Sequence, residues 1–158
     1  MSTKPVTPPD RRTATALKLW VVLSRAFGAV AERLSAQVAE SGLTAAEFGA
    51  LEALHHKGPM LLGDLQRRIL VSSGGITYVV DRLERQGLVE RRPCLTDRRA
   101  RYAALTERGE RLIREIFPGH AESVRVALAG LSEEEKQQAI TLLRKLGSHA
   151  AESSGREP

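Results

Sequence analysis

Residues 88–105 read LVERRPCLTDRRARYAAL, and their pattern is the clearest indication of the fold in this sequence. Two short runs in which apolar and polar residues alternate, 88–91 and 100–105, lie on either side of a charged tip. Alternation of this kind is typical of strands, so the stretch predicts a β-hairpin with a loop longer than two residues. Gln86 and Gly87, just before it, predict the end of a helix. The chain therefore changes here from helix to a two-stranded hairpin.

Positive charge is concentrated around this hairpin. Nine arginines and four acidic residues lie between Arg67 and Arg101, a surplus of five that equals the surplus of the whole chain, which has 24 basic and 19 acidic residues. The rest of the chain is therefore neutral overall. A surplus confined to one segment indicates a surface that binds a polyanion, and double-stranded DNA is the first partner expected. The alternative is a solvated helix face decorated with arginine.

Length and composition limit the class of protein. A chain of 158 residues fits one domain, or one domain with an oligomerisation extension. The single cysteine, Cys94, excludes a disulfide scaffold and is typical of a reducing compartment, so we expect a cytoplasmic location. No apolar run approaches the roughly 20 residues that span a bilayer, and the N-terminus lacks the apolar middle of a secretory signal. We therefore expect no membrane partner.

Most of the remaining chain is predicted to be helical. The first helix, over residues 13–41, carries apolar residues spaced by three or four, which form one stripe. These are Leu17, Trp20, Leu23, Phe27, Val30, Leu34 and Val38. Such a helix is about 40 Å long at 1.5 Å per residue, and a stripe of that length predicts a partner chain. Near the other end, Pro118-Gly119 predicts a kink or break in the fifth helix, and Gly147 predicts the end of the last helix.

Three shorter helices precede the hairpin. Thr44 and Glu47 predict a capping box that opens the second helix, which Gly58-Pro59 ends. A third helix over 62–69 is separated by a turn from a fourth over 73–85. The order helix, short helix, turn, helix, hairpin predicts a winged helix-turn-helix. The predicted fold class is therefore mainly α with a small β-hairpin wing, plus a helical dimerisation region.

The fourth helix is predicted to contact DNA. Its apolar stripe is formed by Ile76, Val79, Val80 and Leu83. In helix-turn-helix proteins the second helix of the pair enters the major groove, and its first residues face base edges. On the face opposite the stripe, Thr77 and Tyr78 can hydrogen-bond, and Arg82 can bind guanine or a phosphate through its two-pronged guanidinium. Small residues at the start of the helix allow close approach of the backbone, which is compatible with a serine acting as the N-cap.

The hairpin tip is predicted to reach the neighbouring minor groove. Alternation along an extended tip points Asp97 and Arg99 to one side and Arg98 to the other. We expect an Asp97–Arg99 ion pair that shapes the loop and leaves Arg98 for a narrow A·T-rich groove. The predicted DNA-binding residues are Ser72, Ser73, Gly74, Gly75, Thr77, Tyr78, Arg82, Arg98 and Arg99.

The sequence resembles the MarR (multiple-antibiotic-resistance regulator) family. The resemblance rests on LTAAEFGALEALHHKGP (43–59), SSGGITYVVDRLERQGLVERR (72–92) and TDRRARYAALTERG (96–109), and it extends over about residues 17–147. It implies a transcriptional regulator rather than an enzyme. It also implies a homodimer bound to a palindromic operator, with repression relieved by a small aromatic or amphipathic ligand.

The resemblance also implies a division of the chain. Residues 43–105 would form the DNA-binding lobe, and 13–42 and 106–149 the dimerisation region. Composition predicts a disordered arm over 1–12, which contains three prolines, and a flexible tail of small and polar residues over 150–158. The predicted dimerisation residues are Leu17, Leu23, Phe27, Ile140 and Leu143. The predicted effector-binding residues are Trp20, Ser24, Phe48 and His55. Core packing is the alternative role for Trp20 and Phe48, because both lie on apolar stripes.

Other functional classes receive little support. The sequence shows no nucleophile–base set, no phosphate-binding glycine loop and no metal triad, so we predict no catalytic site, cofactor or metal. His55 and His56 are adjacent on a helix, about 100° apart, and cannot easily share a metal ion. Cys94 is interpreted as an incidental exposed thiol. The main alternative to a regulator is a winged-helix protein-interaction module without DNA binding, which would not need the arginine surplus.

Overall fold

The computed structural model describes residues 9–69, 73–94 and 100–153. Within these ranges the chain forms six helices and three strands. The helices are α1 (Arg11–Ala39), α2 (Ala45–Lys57), α3 (Leu62–Ile69), α4 (Ser73–Arg85), α5 (Glu107–Ala127) and α6 (Glu133–Ser153). The strands are β1 (Met60–Leu61), β2 (Val89–Pro93) and β3 (Arg101–Leu105). The chain divides into two compact units, Met1–Ser123 and Val124–Pro158, and the winged helix lies in the first.

A small antiparallel sheet forms the wing, with the strand order β1-β3-β2. Strands β2 and β3 pair from Val89 opposite Leu105 to Pro93 opposite Arg101, which confirms the predicted hairpin with slightly shifted ends. Strand β1 pairs with the middle of β3 and is absent from the sequence-based prediction. A strand of two residues shows no alternation, and its partner lies far along the chain, so local sequence carries no signal for it.

The core of the winged helix lies between α2, α3, α4, the sheet and α5. The predicted apolar stripe of α4 is buried, and Val80 and Leu83 are fully enclosed. Leu51 of α2, Leu65 of α3 and Ile113 of α5 are also fully buried in the same cluster. Burying a side chain of this size stabilises the fold by about 1.5–3 kcal/mol. Because this stripe faces inward, the opposite face of α4 is presented to solvent.

Capping boxes begin two of the helices, and the sequence predicts the one in α2. In α2, the Thr44 hydroxyl accepts a hydrogen bond from the Glu47 amide at 3.2 Å, and Glu47 Oε2 accepts from the Thr44 amide at 2.7 Å. In α6, Ser132 and Glu135 exchange the same two bonds at 3.2 and 2.8 Å. The capping box of α2 is confirmed, and both boxes satisfy backbone amides that a helix start leaves unpaired.

One threonine ties the exit of α4 to the start of α5. Gly87 ends α4 with φ 69°, in the left-handed region that favours glycine. The Thr106 hydroxyl donates to the Gly87 carbonyl at 2.7 Å and accepts from the Gly109 amide at 3.0 Å. The Thr106 amide donates to the Leu88 carbonyl at 3.1 Å. We call Gly87, Leu88, Thr106 and Gly109 the Thr106 junction, because it holds helix, strand and helix together.

Three helix ends differ from the prediction. Helix α1 begins at Arg11 and includes the end of the predicted disordered arm. Helix α5 continues through Pro118, and α6 continues through Gly147 to Ser153. Phe117, beside the proline, packs against the core, so tertiary contacts offset the missing backbone donor. A glycine inside a helix costs only about 1 kcal/mol, which the rest of α6 can supply.

Most of α1 lies exposed on this single chain. Only Val38 is buried, while Trp20 is 66% and Phe27 is 72% exposed. By length and composition α1 is also apolar enough to cross a membrane, with a mean hydropathy of 1.4 over an 18-residue window. The expectation that no stretch approaches spanning length is therefore wrong for this helix. Lys18 and Arg25 interrupt the apolar run and lower its mean hydropathy, which is still 1.4 with both residues included.

Candidate nucleic-acid interface

The face of α4 opposite the buried stripe is the candidate DNA-binding surface. Gly74 and Thr77 are exposed, Gly75 is partly exposed, and Tyr78 is 59% exposed. These positions agree with the exposure expected from the sequence. The first amides of α4 lie at the same end as the glycines, because the helix begins at Ser73. Amides, a hydroxyl and an aromatic ring on one face suit contacts with phosphates and base edges.

Arg82 is held by a buried carboxylate on α2. Its Nε atom lies 2.8 Å from Oε1 of Glu47, whose side chain is only 1% exposed. The Nε–H group is not aligned with that oxygen, which accepts no hydrogen bond from the described residues, so the contact is an ion pair. The guanidinium carbon also lies 5.9 Å from the centre of the Tyr78 ring. A hydrogen bond with Tyr78, and then the charge of Glu47, raise the pKa of Arg82.

This pairing adds a structural contact to the predicted role of Arg82. The sequence predicts Arg82 on the outer face of α4, and in the structure it is partly exposed there and connects α4 to the start of α2. Glu47 was recognisable in the sequence only as a capping residue, because its partner lies 35 positions further along the chain. A buried carboxylate is costly unless it is paired, so this contact also stabilises Glu47. Direct contact of Arg82 with DNA stays a prediction.

Arg91 of β2 clamps the wing to α4. Its Nη2 atom lies 2.7 Å from Asp81 Oδ1, its Nη1 atom pairs with Glu84, and its amide donates to Glu84 Oε1 at 3.0 Å. The two acids are one helical turn apart, so a single guanidinium contacts both. This clamp fixes the direction of the wing relative to α4. The sequence indicated Arg91 only as part of the positive surplus.

Other ion pairs further reduce the number of arginines that are available to bind an anion. Arg67 pairs with Asp64, and Arg92 pairs with Glu90. Exposed pairs such as these contribute little stability, about 0–1 kcal/mol. Arg68 is exposed and forms no ion pair with any residue in the described ranges. The net surplus of five is unchanged, but fewer arginines are available to phosphates than their number suggests.

Three predicted DNA-binding residues and the predicted ion-pair partner of Arg99 lie outside the residues that the structure describes. These are Ser72, Asp97, Arg98 and Arg99. The hairpin is described as far as Cys94 and again from Ala100, whose carbonyl accepts from the Cys94 amide at 3.3 Å. The Asp97–Arg99 ion pair and the minor-groove role of Arg98 therefore stay predictions.

The four predicted effector residues lie in two environments. Phe48 is buried, and its ring centre lies 4.3 Å from that of His120, so the alternative of core packing describes it well. His55 is partly buried, with Nδ1 3.1 Å from Glu110 Oε1. Trp20 and Ser24 are exposed on α1, so Trp20 does not belong to the core of this chain.

Several contacts beside these residues were not anticipated from the sequence. His120 Nδ1 lies 3.3 Å from Gln37 Oε1, and the His56 ring meets Phe117 edge-on at 5.2 Å. The hydrogen bond with His55, and then one from Arg114, lower the pKa of the Glu110 carboxyl. Within the described part of the chain, no three histidine, cysteine, aspartate or glutamate side chains are grouped to hold a metal ion.

The predicted dimerisation residues carry an uncovered apolar surface. Leu17 and Phe27 of α1 are exposed, and so are Ile140 and Leu143 of α6. Leu23 is partly exposed. An exposed apolar stripe on either helix is typical of a surface that another protein surface covers. The pairing role of these residues stays a prediction.

Known proteins resemble this chain over most of its length. A model described as the MarR family matches residues 41–100. The chain is 41% identical over 138 residues to the HTH-type transcriptional regulator MhqR of Bacillus subtilis (strain 168), across 87% of this chain and 95% of that relative.

Solved structures share the fold. Sco3205, a MarR family transcriptional regulator from Streptomyces coelicolor solved in complex with DNA, matches with a TM-score of 0.80 and 23% identity, over 94% of this chain and 92% of its own. Bordetella bronchiseptica BpsR, solved to explain regulation of its DNA binding by 6-hydroxynicotinic acid, matches with a TM-score of 0.75 and 27% identity, over 82% and 98%. The likeness therefore extends well beyond the winged helix.

Proposed function

Because this chain belongs to the MarR family of DNA-binding transcriptional regulators, which are not enzymes, we propose that it is a repressor released from DNA by a small molecule. It binds a palindromic operator as a homodimer. The observation that carries the proposal is the setting of α4. One face of the helix is buried, the face with Tyr78 is open, and Glu47 and Arg91 hold the helix against its neighbours.

The homodimer gives the DNA contacts their geometry. Two copies related by a two-fold axis present their α4 helices to successive major grooves, about 34 Å apart. Each wing then reaches a flanking minor groove, where Arg98 contacts the A·T edge. The arginine surplus between Arg67 and Arg101, and the DNA-bound structure of Sco3205, support this arrangement.

We propose that in the homodimer the partner subunit covers the apolar faces of α1 and α6. Trp20 and Phe27 are the most exposed aromatic residues of α1, and Leu142 and Leu143 are exposed on α6. A partner helix would remove this surface from water, which favours association. The same pairing accounts for the hydropathy of α1 without a membrane and agrees with a cytoplasmic location.

Leu23→Asp is expected to convert the dimer to a monomer. A charge in the middle of the α1 stripe would be buried without a partner in the proposed interface. Sedimentation velocity measures the change, and operator binding should fall by more than about 100-fold because half of the contacts are lost. Ser35→Asp is the matched control, since Ser35 is polar and exposed on the same helix. An unchanged dimer in Leu23→Asp would mean that another surface pairs the subunits.

The effector is proposed to be a small aromatic acid. We place it with His55 of α2 and with Trp20 and Ser24 of α1, and we assign Phe48 to core packing. Two observations support this choice: the partly exposed His55 beside Glu110, and the regulation of BpsR by 6-hydroxynicotinic acid. Release requires only that the ligand favour a spacing of the two α4 helices that does not match the operator.

Specific DNA binding should be steeply dependent on salt. We expect the purified dimer to select palindromic fragments from random DNA, and its affinity to fall by about 10³ between 50 and 200 mM salt if six or more phosphates are contacted. Arg98→Ala should weaken this binding and leave the melting temperature unchanged, whereas Arg144→Ala, on exposed α6, should change neither.

An absence of sequence-specific DNA binding would favour the alternative, a winged-helix protein-interaction module. Equal affinity for selected and scrambled fragments of the same length would contradict sequence-specific regulation. A fall in melting temperature with Arg98→Ala would contradict a free contact at the wing tip. Repeating the selection with a library of aromatic acids tests release in the same experiment.

A further inference from the structure

An open cavity of about 590 Å³ lies where α4 ends, at the opposite end of that helix from Gly74. It is bounded by the turn after α1, by the exit of α4 and by α5. A cavity of this volume is in the range that small organic ligands occupy. None of its lining residues belongs to the DNA-binding face or to the effector site proposed above.

The lining of the cavity is apolar on one side. Leu43 and Leu88 contribute side chains that are buried in the core of the winged helix, and Leu112 of α5 is partly buried beside them. These leucines form a fixed apolar floor, because the core on their other side holds them in place. A ligand with an apolar body would remove the open part of this floor from water.

The rim is strongly cationic. Arg85, Arg108 and Arg111 line the cavity, against a single carboxylate, Glu115. Arg108 forms no ion pair with any described residue, and its Nη1 atom lies 3.9 Å from the place where a Cβ on Gly87 would stand. This guanidinium therefore lies beside the turn that leaves α4.

The other two arginines retain donors for a ligand. Arg85 uses Nε to donate to the Asp81 carbonyl at 3.3 Å, which orients its side chain along α4. Arg111 lies 3.6 Å from Glu107, at the long end of ion-pair distances. Three guanidiniums line this cavity with one carboxylate in the same lining, so its positive charge is incompletely neutralised and would favour an anion.

We propose that this cavity binds an amphipathic organic anion. Its acidic group, a carboxylate or sulfonate, pairs with Arg108 and Arg111, because the planar guanidinium matches the two oxygens of such a group. Its apolar body lies against Leu43, Leu88 and Leu112. A ligand here joins α4 through Arg85 to α5 through Arg108. If the proposed function holds, binding then biases the position of the DNA-reading helix.

Octanoate is the probe that tests the site. Titrated into the full-length, isotopically labelled protein without DNA, it is expected to shift the backbone amide signals of Gln86, Gly87 and Leu88. Octylamine has the same chain and the opposite charge, and it should leave these signals in place. The double variant Arg108→Gln/Arg111→Gln should weaken the affinity for octanoate by about tenfold or more, because it removes charge-assisted hydrogen bonds.

Arg114→Gln is the matched control for this experiment. It removes one positive charge from the same helix, against two in the double variant, at a residue that does not line the cavity. Arg108 and Arg111 are exposed, so the double variant should fold normally, which its melting temperature verifies. Equal binding of octanoate and octylamine, or equal affinity in the double variant and Arg114→Gln, would overturn the proposal.

Different outcomes would contradict the proposed function and the proposed anion site. A protein that binds octanoate at these amides but shows no specific DNA binding contradicts the proposed function alone. A protein that binds its operator but shows no octanoate-dependent shift at the exit of α4 contradicts the anion site alone.

Discussion

Replacing Gly109 with alanine (Gly109→Ala) is expected to lower the melting temperature by roughly 10 °C, from a loss of about 3 kcal/mol or more. A Cβ at this position would lie 2.0 Å from the Leu88 carbonyl oxygen and 2.9 Å from its carbon. Both atoms belong to the backbone, so no side chain can rotate away. The same carbonyl accepts a hydrogen bond from the Thr106 amide, so a shift of this carbonyl would break the Thr106 junction. Thermal unfolding followed by circular dichroism measures the loss.

Gly119→Ala is the matched control for this prediction. It adds the same methyl group to the same helix, where the nearest atom is Gln37 Nε2 at 3.9 Å, an ordinary contact. Alanine favours a helix over glycine by about 0.5–1 kcal/mol, so this variant should be unchanged or slightly more stable. If the two variants have the same melting temperature, α5 does not approach Leu88 as closely as the structure indicates.

Glu47→Ala is expected to cost roughly 2–4 kcal/mol and to weaken operator binding by at least about tenfold. It removes one half of the α2 capping box and leaves Arg82 without its carboxylate. The partial exposure of Arg82 keeps the cost below that of a fully buried pair. Binding should suffer because Glu47 positions Arg82, and Arg82 in turn contacts Tyr78. Chemical denaturation and DNA titration measure the two effects.

Two further variants separate the cap from the charge. Glu47→Gln keeps an oxygen for the Thr44 amide but loses the charge facing Arg82, so its stability should lie between wild type and Glu47→Ala. Glu52 lies on the same helix and pairs with no described residue. Glu52→Ala should therefore change stability and operator binding little. A Glu47→Ala variant that behaves like Glu52→Ala would show that the ion pair neither stabilises nor positions α4. A double-mutant cycle with Arg82→Met isolates the coupling.

The features that local sequence predicts are those decided within a few residues. The α4 stripe, the Thr44–Glu47 capping box and the end of α4 at Gly87 each depend on neighbours within about one or two helical turns. The structure shows all three. They were enough to order the elements, and the order of elements identified the winged helix.

The features that sequence could not predict depend on residues far apart in the chain. The Arg82–Glu47 pair, the clamp of Arg91 and the pairing of β1 with β3 all connect separate elements. An arginine count cannot reveal which guanidiniums are already held by carboxylates. Likewise, Pro118 predicts a break on local grounds, and only the packing around it shows why α5 continues.

The sheet has a consequence for how the protein behaves at high concentration. Since β3 lies in the middle, β2 is the longer edge of the described sheet, and an open edge invites another chain to add a strand. Pro93 lacks the amide that such an addition needs, and Glu90 and Arg92 place exposed charged side chains along this edge. These features disfavour strand addition at the β2 edge, so we expect the wing to stay exposed without promoting aggregation.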